Sequence, residues 1–260
     1  MHLLLPPSET KRSGGGGVLA LESLAHDVEL RGARMRVREE LVALCGDEEA
    51  AAKALKLGVK NRDELERNLR LDASGVMPAI ERYTGVLYDA LDAPSLSPAA
   101  RRWLGLHASV QSALFGLVGA NDRIPAYRLS ASSRLPGLSA PLKQVWSAAH
   151  ADIDLSGRGW VLDLRSKDYA ALAPLPSGRG MRLHVAQRGD GGEVRALNHF
   201  NKAAKGDLVR RLALGRPRIG SAGAFARWAE QEGLEVLEGP AENELTLVTT
   251  FGAPLAAATR

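Results

Sequence analysis

Short apolar runs alternate with longer helix-patterned stretches along this chain, and the alternation predicts a mixed α/β (α+β) fold. Leu3 to Leu5 reads as a buried strand stopped by Pro6-Pro7, because proline cannot donate to a ladder. Gly159 to Leu164, Arg182 to Gln187 and Leu245 to Thr250 read as further strands, with a helix over Ala222 to Glu232 between the last two. From Leu30 to about Leu69 the apolar positions recur at helical spacing. Val37, Leu41 and Leu44 share one face, followed by Ala51, Ala52 and Leu55 and then Leu65 and Leu69, with Gly46 and Gly58 as helix ends. Val76 to Ala90 reads as helical, with Tyr83, Leu87 and Leu91 spaced for burial. Val110 to Val118 fits an apolar strand or a buried helix, and Asn121 to Pro125 a loop. With no internal repeat, a single domain over residues 1–260 is expected: a mixed sheet, surrounding helices and a helical insertion at about 30–70.

At 260 residues, with 45% hydrophobic and 25% charged side chains, the chain has ample material for a core. Aromatics make up only 5%, so base stacking on an aromatic platform is not expected to dominate any nucleic-acid contact. The net charge of +4 is modest, and where the charge sits matters more than the total. The single cysteine, Cys45, excludes an internal disulfide and a Cys-based metal cage. Asp47, Glu48 and Glu49 beside it would raise its pKa, so it reads as a buried structural thiol. The histidines show no H-E-x-x-H spacing and no carboxylate–histidine cluster, so neither a metal nor a cofactor is expected. Met1 to Pro6 is too short for a signal sequence and lacks a basic start, and no run of about twenty apolar residues exists. A cytoplasmic protein is the expectation.

Cationic side chains gather after the second of the later strands. Lys202, Lys205, Arg210 and Arg211 can share one side of a helix, a face suited to the phosphates of a nucleic acid or nucleotide. His199, just ahead, could touch an anion or move a proton. Leu44 to Lys53 partly resembles a helix–hairpin–helix, whose glycine-containing hairpin lets backbone N–H groups approach a phosphate. Gly46 and Ala52 match it, but Glu48 replaces the second glycine and Asp47 and Glu49 would repel phosphate, so an ordinary helix turn is the plainer reading. Lys53, Lys56 and Lys60 follow.

Two polar segments sit at carboxyl ends of strands, where open α/β sheets hold ligands. Ser8 to Gly17 lacks the P-loop pattern, yet Lys11 and Arg12 could neutralise a phosphate, and its glycine run is either mobile or closely apposed to a ligand. In Asp163 to Tyr169, Ser166 and Lys167 could pair as nucleophile and base, although adjacent strand residues face opposite ways. Capping of a short helix by Ser166 or Asp168 fits better.

Further blocks run in order: Pro7 and Thr10; Tyr83-Thr84-Gly85; Ser112 to Gly116; Asp122; Tyr127-Arg128-Leu129; Trp146; Leu164, Ser166 and Tyr169; and Lys202, Lys205, Gly206 and Arg210. Together they resemble the YaaA family of bacterial peroxide-stress proteins over nearly the whole chain. The resemblance implies a single mixed α/β fold with a helix–hairpin–helix-like element beside a positive cleft. It also implies binding to duplex or branched DNA and a part in surviving oxidative damage. Glu9 departs from the family pattern, which has lysine there, with Lys11 two places on.

The leading expectation is therefore a DNA-binding protein that recognises backbone shape in peroxide-stress defence. Lys202, Lys205, Arg210 and Arg211 would contact phosphates, helped by Lys53, Lys56, Lys60 and Arg128. The alternative is an enzyme acting on a nucleotide, nucleobase or small phosphorylated substrate, in a cleft lined by Ser8, Lys11, Tyr83, Ser112, Tyr127, Ser166 and His199. A groove about 20 Å across would suit a duplex, and a closed pocket of roughly 300–1,000 Å³ a small molecule.

Overall fold

The apolar run at the N-terminus becomes the middle of a sheet. The computed structural model describes residues 1–188, 193–196 and 201–250. Its strands are β1 (His2–Leu5), β2 (Met77–Pro78), β3 (Ala108–Ser112), β4 (Gly116–Gly119), β5 (Arg123–Ile124), β6 (Val161–Asp163), β7 (Gly180–Arg188), β8 (Val194–Ala196), β9 (Glu235–Glu238) and β10 (Glu244–Thr250). The main sheet runs β4-β3-β1-β6-β7-β10-β9, with β8 also paired to β7, while β2 and β5 form a separate ribbon. β3, β1, β6, β7 and β10 are mutually parallel; β4 and β9 close the edges antiparallel. β1 has a neighbour on each side and all four of its residues are buried, which is why it reads as an unbroken apolar run rather than an alternation.

The helices are α1 (Asp27–Cys45), α2 (Glu48–Ala54), α3 (Glu64–Leu69), α4 (Ala79–Arg82), α5 (Val86–Leu91), α6 (Pro98–His107), α7 (Leu142–His150), α8 (Lys167–Ala170), α9 (Asn201–Gly215) and α10 (Ala222–Gln231). α1 buries Leu30, Ala33, Val37, Leu41 and Cys45, one stripe at helical spacing. α6 starts as its sequence dictates: Ser97 accepts from the Ala100 amide and Pro98 stands at the first helical position. α9 packs on α5 through Gly206, where a Cβ would overlap the Leu87 carbonyl oxygen. One hydrophobic cluster, from Leu3 to Leu247, ties these layers together.

Two expectations change, and a third resolves to its plainer reading. The helix expected over Val76 to Ala90 is broken: Met77–Pro78 pairs with β5, Tyr83 is extended, and Gly85 at φ +91° opens α5. Val110 to Val118 is two antiparallel strands, turned at Gly116 (φ +66°) against the Trp146 ring. The region at about 30–70 is α1 to α3, but its hairpin is not a phosphate grip. Gly46 is right-handed helical, and the Asp47 carboxylate accepts from the Ala50 amide at 3.1 Å, so an acid fills the helix N-terminus that a phosphate would need.

Candidate functional site at the strand ends

The parallel register of β1, β3 and β6 brings their carboxyl ends to one edge. Ser112, the last residue of β3, accepts from the amides of Leu114 (3.0 Å) and Phe115 (2.9 Å). Its Oγ also lies 2.7 Å from the Tyr127 hydroxyl, which lies 2.9 Å from the Tyr83 hydroxyl. All three side chains are buried. The two amides fill the two lone pairs of Ser112, so Ser112 must donate to Tyr127, and the Tyr127 and Tyr83 hydroxyls share a single further bond. One phenol proton of the Tyr83–Tyr127 pair is then left without an acceptor among the described residues. Burial pushes the Tyr83 phenol up to about 12, so it keeps its proton at neutral pH.

Lys11 reaches the same place. It forms an isolated bridge with Tyr83, and its buried Nζ sits 4.0 Å from the centre of the Tyr127 ring and 5.3 Å from that of Tyr83. It donates to the carbonyls of Ser8 (2.9 Å) and Glu9 (3.2 Å), and no carboxylate among the described residues pairs with it. Burial pushes its pKa down to about 7, partly opposed by the Glu9 carboxylate. Between about pH 7 and 10.5 the unfolded chain therefore holds the extra proton, and stability rises with pH. Lys11→Met should remove that rise, which urea titrations across the window would detect; parallel pH profiles for both proteins would contradict it.

Hydroxyls rim the cluster. Thr84 donates to Thr10 at 3.0 Å, and Ser8 Oγ is 3.3 Å from Thr10 Oγ1. A Cβ on Gly85 would crowd both Ser8 and Thr10, so glycine lets this loop close down. Tyr88 donates to the Pro6 carbonyl at 2.7 Å and fixes the chain as it leaves β1.

At the end of β6, Arg165 donates to Asp163 twice (2.9 and 2.8 Å) and to Gln111 (3.2 Å), all three buried. Lys205 donates to the Leu164 carbonyl at 3.0 Å, and burial pushes it down to about 8 against the pull of Asp163. Nothing in the spacing announced the Asp163–Arg165–Gln111 set, although an Asp-x-Arg directly after an apolar strand was its visible trace.

Of the expected cleft residues, Ser8, Lys11, Tyr83, Ser112 and Tyr127 come together, while Ser166 is exposed beyond them at the start of α8, without a side-chain capping bond. His199 lies outside the described residues. The expected cationic face of α9 does not form. Lys202 is exposed and Lys205 buried; Arg210 donates to Leu91, Asp92 and Ser95; Arg211 is held by Asp207 and Glu232. Arg128 is likewise paired, with Glu9 at 2.6 Å and Glu64 at 3.5 Å. Lys53, Lys56 and Lys60 are exposed. Cys45 is buried, with its thiol pKa raised by burial. Among the described residues no histidine, cysteine and carboxylate group could hold a metal, and no helix is long and apolar enough to cross a membrane.

Comparison with known proteins decides the family. The family described as peroxide stress protein YaaA matches residues 1–236. The chain belongs to the YaaA family. It is similar to UPF0246 proteins of Streptomyces coelicolor (44% identical over 222 residues, 82% of each chain) and Corynebacterium glutamicum (40% over 253 residues, 95% of this chain and 100% of the relative). A UPF0246 protein of Corynebacterium efficiens is 40% identical over 254 residues, 95% of this chain and 100% of its own. Membership supports a role in oxidative stress. On the YaaA fold of this chain the family blocks converge: Thr10, the Tyr83-Thr84-Gly85 turn, Ser112 and Tyr127 build the strand-end cluster, and Trp146 buttresses it by donating to the Ala113 carbonyl at 2.8 Å.

Proposed function

We propose that the strand-end cluster binds a small phosphorylated molecule, such as a nucleotide, in the service of peroxide defence. The observation that carries this reading is the uncommitted phenol proton of the Tyr83–Tyr127 pair beside a lysine that lacks a carboxylate. A phosphate oxygen supplies what the cluster wants: an acceptor for the spare phenol proton and a stronger, charge-assisted acceptor for Lys11 than the Ser8 and Glu9 carbonyls it would replace. Ser8, Thr10 and Thr84 offer further donors as the loop yields. The ordered hydroxyls can pass a proton outward through Tyr83, and a lysine with a pKa near 7 can take one up or give one away.

Equilibrium dialysis with ADP tests this. Lys11→Met and Tyr83→Phe should each weaken retention by about tenfold or more. Tyr83→Phe still leaves one unaccepted hydroxyl proton, now on Tyr127, so the fold should be little affected. Wild-type protein that retains no ADP, or variants that retain it unchanged, would overturn the reading.

A DNA-backbone reading rests on a separate observation. Lys53, Lys56 and Lys60 are exposed without ion pairs among the described residues, and Lys53 and Lys56 edge a surface depression of about 460 Å³ with Arg134. Such a face would bind all sequences alike and lose affinity steeply with salt. Reversing all three lysines to Glu should abolish duplex binding in fluorescence anisotropy while ADP retention persists. A duplex that binds both proteins equally removes this reading.

A further inference from the structure

The pleat of the sheet turns Ser112 to one face and Gln111 to the other, so the strand-end cluster has a counterpart on the opposite side. That opposite face is unusually polar for the middle of a parallel sheet. Asp163, Arg182 and Glu244 are register partners on β6, β7 and β10, with Arg165 and Gln111 continuing the row. A segment of chain, Pro174-Leu175-Pro176, is shared by two cavities over this row, of about 350 and 250 Å³.

The charges at the larger cavity do not cancel. Asp163 is already neutralised by Arg165. Lys143, Lys167 and Arg182 then stand against Glu244 alone, and Glu244 has His184 Nε2 at 3.0 Å. The Arg182 guanidinium makes no hydrogen bond or ion pair with any described residue, although its neighbours in the row are tied down. The smaller cavity is more apolar: Leu4, Leu117, Ile153 and Leu155 wall it, with His150, Gln111 and Arg165, the last neutralised by Asp163, as its polar floor. His150 is locked, donating to the Trp146 carbonyl at 2.7 Å and accepting from the Leu117 amide at 3.2 Å. A cationic chamber next to an apolar one, with a common wall, is complementary to a molecule that is anionic at one end.

We propose that this face is a second ligand site, taking a small acid with an apolar body. Its anionic group sits among Lys143, Lys167 and Arg182, and its body lies along Leu175 toward the apolar walls. The assignment is independent of the strand-end site, so Lys11→Met should leave it unchanged.

Isothermal titration with octanoate, octyl phosphate and octanol, each as a monomer in solution, tests it. At least one of the two anions should bind, with octanol about tenfold weaker or worse. The tighter anion tells whether a carboxylate or a phosphate is the natural head group. The double variant Lys143→Gln/Lys167→Gln changes two exposed side chains and should fold normally. It should weaken both anions and leave octanol as it was; Arg182→Gln should do the same. Octanol binding as tightly as the anions, anion binding indifferent to the lysine double variant, or no binding at all would overturn the proposal.

Discussion

Asp163→Leu should destabilise the protein by about 3–5 kcal/mol, because it strands a buried guanidinium. Arg165 is almost wholly enclosed, and two of its hydrogen bonds end on the Asp163 carboxylate. The remaining partner, Gln111, offers one oxygen and no charge. Adding Arg165→Leu should return part of the loss, since the double variant no longer buries an unpaired guanidinium, although Gln111 and Lys205 both lose a partner charge or hydrogen bond. Urea unfolding of the single and double variants measures both effects. A shift under about 1 kcal/mol for Asp163→Leu would show that the pair is solvated rather than buried.

Arg82→Met should be nearly as damaging, at about 3 kcal/mol or more, because four carbonyls lose one buried charged donor together. The Arg82 guanidinium donates to Ile124 (3.0 Å), Gly14 (2.9 Å), Gly75 (2.7 Å) and Arg12, tying residues 12–14 and Ile124 to the stretch from Gly75 to Arg82. It also explains the glycine run. Gly15 lies directly on Gly75 and Val76, where a Cβ would come within 2.6 Å of the Val76 oxygen, and Arg123 holds the Gly16 and Val76 carbonyls from the side. The close partner of Gly15 and Gly16 is the protein's own backbone. Hydrogen exchange should therefore accelerate across residues 12–17 in Arg82→Met before global unfolding. Unchanged exchange there would mean that the loop is held by something else.

The strands at the centre of the sheet were legible because a strand buried on both faces appears as a continuous apolar run, as β1 does, while β10 shows instead the alternation of Leu245 and Leu247 with half-buried Glu244 and Thr246. The Val110 to Val118 run was ambiguous for the same reason. A hairpin of two buried strands carries no alternation, and only the positive φ of Gly116 separates it from a helix. The strand-end cluster was half legible. Tyr83, Ser112 and Tyr127 are marked by ordered family blocks, but Arg82 is invisible because its partners are carbonyls, which no side-chain pattern records. The basic segment misled because helical spacing states which residues are neighbours, not which side is buried. Lys205 sits among Ala204, Leu208 and Leu212 on the packed side of α9, and Arg210 and Arg211 lie close to acids and carbonyls of neighbouring turns. What remains of the cationic surface is smaller and elsewhere.

The central claim is that Lys11 holds an anion as an ammonium whose pKa lies near neutrality. The affinity for ADP, followed by titration calorimetry from below to above the Lys11 pKa of about 7, tests it most directly. Relative to Lys11→Arg, whose guanidinium stays charged and whose curve also carries the titration of the phosphate itself, wild-type affinity should fall by up to about tenfold per pH unit above that value. Parallel curves for the two proteins would contradict the account.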